Sequence, residues 1–519
     1  RYTCMAKIEK NKHRKNELTT LLNFPLKASV PAERRQPVRY RICYGASAMV
    51  IFFSLYGCIN LGPDYAQPGL GVQTPQSYEY APTETELLVA GDRWWEVFGD
   101  SELNLLVDEV LKNNWDIKQA AARILEARYQ YVQVRAGRFP SADFDSSISR
   151  RQIGGGSLGS STIANNYQLS GAAAFEVDLW SRLAKASRAA WEDILIEEEN
   201  RRTLAQIVVA EAISLYLEME ALERRLQIAA QSIEAFRLSL QFVETRYERG
   251  LTSVLDVRQA RRVLAQAETL VPQFEQEMGI IQQQLSVLRG RYPLTRPARR
   301  QPEDYYKNLT PVPPGLPSDL LMRRPDIRAA EEQLKALNER VGVAKAARLP
   351  SITLTGGYGW SSEDLNNILR SENAVWNLTA GLIQPIFDAG RLKAGQRTAE
   401  ARYQQGVAEY VQTVLDAFGE VERALLIRKQ QLERRERELK FLEEARATQR
   451  VAEERYIRGL VIYLDVLNAQ ITRFQAEDNL ALVDLAIMRN RVALHRALGG
   501  GWAEPEPVAV KDDGIFFNF

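Results

Sequence analysis

Cysteine and histidine are scarce in this sequence of 519 residues, which contains three Cys and two His. Two of the Cys and one of the His precede residue 58, in a segment that is interpreted below as a removable signal, so only Cys58 and His495 would remain. Such a chain has too few ligands and nucleophiles for an internal disulfide, a His/Cys zinc site or a Ser-His-Asp or Cys-His catalytic group. We expect no metal and no cofactor, and an enzyme could act only through carboxylates.

A strong charge of one sign is also missing. The chain has a net charge of +1, and residues 1–57 contribute +8 of it, which leaves about −7 for the remainder. Because proteins that bind nucleic acid need a basic surface, the charge argues against a nucleic-acid partner.

The amino-terminal segment is basic at first and then uncharged from Cys43 to Gly57, around the apolar run Ala48–Phe53. A basic start followed by a short apolar stretch and small residues is typical of a secretory signal. The run is short for a transmembrane helix. We therefore predict a signal at residues 1–57, with a single-pass anchor as the alternative, and a start that is over-extended before about Arg34.

Proline and glycine are absent from Trp180 to Arg249. A continuous helix of that length would reach roughly 105 Å. Its later part has apolar residues at the spacing of a coiled coil: Leu222, Leu226, Ala229, Ile233, Phe236, Leu240 and Val243. A second run, Arg391 to Arg458, is interrupted only by three Gly and predicts a matching helix. A solvated dimeric coiled coil is the alternative.

These runs belong to an internal repeat with an offset of 209 residues. Arg246–Leu251 returns as Arg455–Leu460, and Leu255–Val257 returns as Leu464–Val466. A repeat of this length exceeds the period of solenoid units. It indicates a duplicated half-protein and a pseudosymmetric assembly.

Each half also contains two segments in which small or apolar residues alternate with polar ones. They are Ala142–Arg150 and Tyr167–Leu179, around a Gly/Ser-rich loop at 154–161, and then Ile352–Trp360 and Val375–Phe387. This pattern predicts β-hairpins, either on a soluble domain or as strands that cross an outer membrane. Four strands cannot close a barrel, and an open sheet edge in lipid is forbidden. Membrane strands would therefore require several chains to share one barrel.

Both long runs end at Arg-Gly-Leu, where Gly250 and Gly459 suit the left-handed position just past a helix end. In the first half Ser253 and Asp256 form a predicted capping box for the next helix. In the second half Ile462 replaces the serine, so Asp465 lacks that partner.

Several motifs together resemble the TolC-like outer-membrane efflux proteins, in the lipoprotein branch that includes OprM and NodT. They are Trp94-Trp95, Pro317-Ser318, Leu320-Leu321, Arg323–Ile327 and Ala497–Trp502. The resemblance implies a mainly α fold with a small β part, built from internally duplicated helix–hairpin–helix halves. Three chains would form an α-barrel that continues into a shared 12-stranded β-barrel.

The resemblance also implies a division of the chain. Residues 55–58, Leu-Tyr-Gly-Cys, resemble a lipoprotein box, so Cys58 would carry the lipid. Residues 58–93 would be a lipid-anchored extended tether in the outer membrane. The two efflux-protein repeats would occupy 94–315 and 316–502, and a tail would follow at 503–519.

The implied function is a passive duct of a tripartite efflux system. The homotrimer would carry drugs or other small solutes from the periplasm to the exterior, together with a periplasmic adaptor and an inner-membrane transporter, of RND type. Protein or peptide export by a type I system is the nearest alternative. A periplasmic coiled-coil scaffold lipoprotein is an alternative of another class.

In this family the tube narrows at its periplasmic end, where acidic side chains surround the aperture. By motif matching, Asp256 and Asp465 would lie there, and Asn468 would occupy a position that is commonly Asp. A narrow ring of like charges favours cations. Tyr247 and Tyr456 match tyrosines that can link neighbouring coils. Simple helix capping is the alternative for the two aspartates, and packing for the two tyrosines.

Overall fold

The computed structural model describes residues 62, 64–71, 77–80, 93–153, 162–295, 312 and 323–500. These belong to a compact unit that spans Cys58–Phe519, separate from Arg1–Gly57. The predicted signal, Cys58, the hairpin loop at 154–161, the motif residues 317–322 and the tail at 503–519 lie outside the described residues.

In the part of the first half that the structure describes, five α-helices and two strands follow the short 3-10 helix Trp94–Phe98. In chain order they are α1 (Ser101–Asn113), α2 (Trp115–Ala136), β1 (Ser141–Ile153), β2 (Thr162–Val177), α3 (Arg182–Glu248), α4 (Val254–Glu268) and α5 (Leu270–Leu288). The stretch from Ser101 to Arg138, which is helical in its sequence pattern, forms two helices that are divided at Asn114. The Asn114 side chain accepts hydrogen bonds from the amides of Asp116 and Ile117 and so caps a new helix.

The described residues of the second half follow the same order. It contains α6 (Pro325–Ala346), β3 (Ser351–Ser362), β4 (Ala374–Ile383), α7 (Arg391–Ile457) and α8 (Tyr463–Ala497). The two long helices, α3 and α7, each have 67 residues, which confirms the prediction from the proline-free and glycine-poor runs. Strand β4 ends four residues earlier than predicted, because Pro385 cannot donate a backbone hydrogen bond to the ladder.

The four strands form one antiparallel sheet in the order β1-β2-β3-β4. Its register aligns residues in rows across the strands, such as Phe144, Gly171, Tyr358 and Trp376. Residues of one row share a face of the sheet, and side chains alternate between faces along each strand. One face is therefore apolar, whereas the adjacent row, Asp143, Ala172, Gly357 and Asn377, belongs to a face of small and polar residues.

The predicted coiled-coil positions form the core of the helical part. Leu222, Ala229, Ile233, Phe236 and Val243 are all buried. They contact residues from the returning helices, so the seven-residue spacing corresponds to packing within the chain. In the described part of the chain, no helix combines the length and apolar composition that crossing a lipid bilayer would need.

Residues 64–71 and 77–80, which we call the strap, run along the second half. The Tyr65 hydroxyl lies 3.5 Å from Glu331 on α6, and the Gln67 amide donates to the Tyr410 hydroxyl on α7 at 2.8 Å. Tyr78 is buried in the core of the second half. The strap therefore covers helices α6 and α7, as the turn Trp94–Phe98 and α1 cover α3 in the first half.

Candidate aperture at the tips of the long helices

The two long helices end in the same type of turn. Gly250 has φ 71° and Gly459 has φ 73°, so both adopt the predicted left-handed conformation. The amide of Leu251 donates to the carbonyl of Arg246 at 2.8 Å, and the amide of Leu460 donates to the carbonyl of Arg455 at 2.9 Å. In each turn, the amide of the residue after the glycine donates to a carbonyl of the last helical turn. That carbonyl would otherwise lack a hydrogen-bond partner at the helix end.

One carboxylate oxygen of Asp256, Oδ2, takes part in the helix cap. It accepts hydrogen bonds from the Thr252 hydroxyl at 2.6 Å, the Ser253 hydroxyl at 2.9 Å and the Ser253 amide at 3.1 Å. Partial burial tends to raise the pKa of Asp256, but these hydrogen bonds to the charged form outweigh it and lower the pKa. The predicted capping box is confirmed, and the placement of Asp256 at an aperture stays a prediction.

Asp465 occupies the equivalent position in the second half, where the described residues form no such capping box around it. Ile462 precedes α8 and offers no side-chain cap. Asp465 and Asn468 are both exposed, and they lie three residues apart on one face of α8. The placement of Asp465 and Asn468 at an aperture stays a prediction, because it depends on neighbouring copies of the chain.

Tyr247 and Tyr456 share a sequence motif but differ in environment. Tyr247 is 46% exposed, whereas Tyr456 is 7% exposed. The Tyr456 ring lies 5.6 Å from the Tyr463 ring and 5.0 Å from the guanidinium of Arg246. Tyr456 therefore packs between the two halves of its own chain, and the role of both tyrosines in linking neighbouring coils stays a prediction.

The sequence motifs did not single out Tyr463, which joins the two halves at the tips. Its hydroxyl lies 3.0 Å from the Ser239 hydroxyl on α3, and its ring is almost completely buried. Burial raises the pKa of Tyr463. The equivalent position in the first repeat, 254, is Val. This difference between the repeats was the sequence signal that could have identified Tyr463.

Ion pairs continue this connection above the tips. Arg225 on α3 forms a bidentate pair with Asp478 on α8, at 2.7 and 3.1 Å. Arg435 on α7 donates to Asp484 on α8 at 2.6 Å. Since bidentate arginine–carboxylate pairs fix relative orientation, these contacts hold α8 between α3 and α7.

The family model "Outer membrane efflux protein" matches residues 106–291 and 316–500. The two matched segments correspond to the two halves of the repeat. The chain belongs to this family of outer-membrane efflux proteins.

Curated relatives match over most of their own length. The cation efflux system protein CusC of Escherichia coli O6:H1 is 32% identical over 88% of this chain and 98% of its own length. The probable outer membrane lipoprotein SilC of Salmonella typhimurium is 32% identical over 87% and 97%. The solvent efflux pump outer membrane protein SrpC of Pseudomonas putida is 32% identical over 88% and 98%.

Solved channel structures match equally well. CusC superposes with a TM-score of 0.78 at 31% identity, over 85% of this chain and 100% of its own. The outer-membrane channel OprN superposes with a TM-score of 0.80 at 29% identity, over 85% and 99%. The predicted fold class, mainly α with a small sheet and duplicated halves, is confirmed.

The chain is therefore a TolC-like channel for efflux across the outer membrane. Its relatives are efflux channels, so the alternatives of type I export and a periplasmic scaffold are not favoured. The family is one of passive channels and not a class of enzymes. Channels of this kind work as components of tripartite systems.

Proposed function

We propose that three copies of this chain form the duct, with their sheets closed into one 12-stranded barrel. The observation that carries this proposal is the sheet itself, which has one apolar face and two unpaired edges, β1 and β4. The apolar face includes Phe144, Trp376, Leu378 and Leu382, which are 66 to 79% exposed. An apolar outer face with a polar inner face is the arrangement of a membrane barrel.

Pairing of β1 with β4 of the next copy would remove both edges, as backbone groups in lipid require. The inner face would then carry small residues such as Ser170, Ala172, Gly357 and Gly381, which leave the lumen wide. Purified protein should migrate as a heat-modifiable trimer and conduct ions in a planar bilayer. Protein that migrates as a trimer but never conducts would contradict the proposed duct.

We infer that Asp256, Asp465 and Asn468 surround the periplasmic aperture, and that Asp465 is its more exposed carboxylate. Asp256 Oδ2 accepts three hydrogen bonds from Thr252 and Ser253, which hold that side chain in the helix cap. Three carboxylates in a narrow ring repel one another unless cations or hydrogen bonds intervene. Asn468 adds hydrogen-bonding capacity without adding to that repulsion.

The variant Asp465→Ala tests this assignment. It should raise single-channel conductance or the uptake of a bulky antibiotic such as vancomycin. Glu363→Ala is the control, because Glu363 is an exposed acid in the loop between β3 and β4. Wild-type conductance and uptake in Asp465→Ala would identify Asp465 as a helix-terminal acid only.

We propose a periplasmic adaptor as the partner at the tips and an RND-type transporter as the source of energy. The tips expose apolar side chains that a soluble protein would cover: Leu251, Val254, Leu255, Ile457, Leu460 and Ile462, each at least 55% exposed. Leu251→Asp with Leu460→Asp should abolish co-purification of the adaptor while conductance persists. Undiminished co-purification would move the adaptor site elsewhere.

For cargo we propose drugs or other small solutes. The relatives named above carry the words cation and solvent in their names, and ArpC of Pseudomonas putida, which is 33% identical, is an antibiotic efflux pump protein. Deletion of the gene, followed by measurement of minimum inhibitory concentrations for silver and copper salts, toluene and several antibiotics, distinguishes these classes of cargo.

We also propose that Cys58 carries the lipid. Labelled palmitate should be incorporated into the wild-type protein, and incorporation should be lost in Cys58→Ser.

A further inference from the structure

One lysine of the helical part is almost completely buried. Lys185 lies in the first turn of α3 and its side chain is 2% exposed. Its ammonium Nζ lies 3.3 Å from Glu339 Oε2 on α6, and Arg188 shares that carboxylate at 3.2 Å. A buried ammonium is unfavourable without a partner. The pairing with Glu339 therefore explains how the charge is tolerated, but not why the side chain is enclosed.

Two glycines enclose the Lys185 side chain. A methyl group at Gly342, on α6, would lie 2.8 Å from Lys185 Cε, and one at Gly62 would lie 3.1 Å from Lys185 Nζ. The same group at Gly62 would also lie 3.3 Å from the Cα of Gly342. Glycine weakens a helix interior, and the passage of the lysine stem accounts for Gly342. The backbone at Gly62, the stem of Lys185 and helix α6 thus meet at one point.

This junction lies next to the sheet and close in sequence to the proposed lipid site. Strand β2 ends five residues before α3 begins, and β3 begins five residues after α6 ends. Gly62 is four residues from Cys58, and four residues span at most about 14 Å. The junction therefore limits where an acyl chain on Cys58 can enter the membrane.

We propose that Lys185, Gly62 and Gly342 form a pin that fixes the start of the strap between α3 and α6, and that this pin determines the position of the lipid anchor relative to the channel. The three are positioning residues. The inference rests on the proposed lipid attachment at Cys58, whereas the docking of the strap can be measured independently of lipid and of transport.

The test uses a nitroxide label on Gly69→Cys in the trimer in nanodiscs. Gly69 lies in the strap and is exposed, and a Cβ atom added there would have no atom within 4 Å. Residues 1–57 are replaced by the signal peptide of a secreted protein and Cys58 by Ser, so the label is unique and no lipid is attached. Because the label has room to rotate about its own bonds, electron paramagnetic resonance should show the intermediate mobility of an exposed side chain on an ordered backbone. The fast motion of a label on a disordered segment would show that the membrane anchor, not the pin, holds the strap.

Pin variants should release the label. Gly62→Val, Gly342→Val and Lys185→Ala should each at least double the mobile spectral component. Two matched controls should leave the spectrum unchanged. In Gly395→Val on α7, the added Cβ has no atom within 4 Å. Arg188→Ala removes the other partner of Glu339 but leaves the Lys185 side chain between Gly62 and Gly342 in place. If Gly342→Val disrupts α6 and the trimer, Gly62→Val decides, because position 62 is outside the helices. An unchanged spectrum in Gly62→Val and Lys185→Ala would overturn the proposal that these residues fix the strap. Conductance of the same trimers tests the proposed channel function separately.

Discussion

Asn114 and Arg324 occupy equivalent positions in the two halves, and each donates a hydrogen bond to the last carbonyl of the returning helix of its own half. Asn114 Nδ2 donates to Leu288 at 3.1 Å, and Arg324 Nη1 donates to Ala497 at 3.0 Å. Each residue also stands at the start of the helix that leads to the sheet. Both halves are thus closed by the same contact, made by different side chains.

Arg324→Ala should destabilise the protein more than Asn114→Ala. Arg324 is buried and also forms ion pairs with Asp326 and Glu420, at 2.6 and 2.7 Å. Its removal therefore takes away an ion-pair partner from two carboxylates. Removal of one partner of a fully buried ion pair costs about 3–5 kcal/mol, and we expect less here because Asp326 and Glu420 are 27% and 33% exposed. Loss of a helix cap costs about 0.5–2 kcal/mol. The temperature at which the trimer dissociates and unfolds, at one scan rate, measures both. Exposed Arg323→Ala is the control, and an equal loss in all three would contradict this ranking.

His495→Phe should make the protein less sensitive to acid. His495 stacks on Trp94 with ring centroids 4.6 Å apart, and neither ring nitrogen has a hydrogen-bond partner among the described residues. Burial, with a contribution from Arg491, lowers the pKa of His495 to about 3. The unfolded chain, with a pKa of about 6.5, therefore binds the proton first as the pH falls.

The stability that neutral His495 contributes is complete above about pH 6.5 and is lost towards pH 3, by up to about 1.4 kcal/mol per pH unit. Phenylalanine keeps the stacked ring and has no titrating group. The unfolding temperature of His495→Phe should therefore exceed that of wild type by more at pH 5 than at pH 7.5. A difference that is constant across these pH values would show that His495 titrates normally.

Gly250→Ala and Gly459→Ala should each destabilise the helix tips by about 1 kcal/mol, because both positions have positive φ. Gly395 and Gly419 provide matched controls within α7, where an added methyl group meets no atom within 4 Å. Alanine there should be neutral or slightly stabilising. Hydrogen exchange of the tip amides measures the local effect. Faster exchange in the control variants than in the tip variants would contradict it.

Adjacent residues of β4 should respond oppositely to a charge. Leu378 lies on the apolar face and is 79% exposed, and Thr379 lies on the opposite face. Arginine on the lipid face near the middle of a bilayer costs about 2–4 kcal/mol. Leu378→Arg should therefore reduce trimer assembly in the outer membrane, and Thr379→Arg should assemble normally and reduce cation conductance. Normal assembly of both variants would argue that this sheet does not face lipid.

Local chemistry made much of the fold predictable. The alternation of the strands, the glycine turns at Gly250 and Gly459 and the capping box at Ser253 depend on neighbouring residues, so a short stretch of sequence contains the whole signal. Asn114 was missed for a related reason. The break at Asn114 depends not only on its local cap but also on Leu288, which lies 174 residues away.

The sequence by itself determined the duplication, the two long helices and the two faces of the sheet, because periodicity and backbone preference act within each segment. Only the tertiary structure decided which repeated residues keep equivalent roles. Tyr247 is exposed while Tyr456 is buried, because Tyr463 and Arg246 enclose only the second of them. The enclosure of Lys185 between Gly62 and Gly342 was equally invisible, since it requires three distant segments to meet, and only packing brings them together.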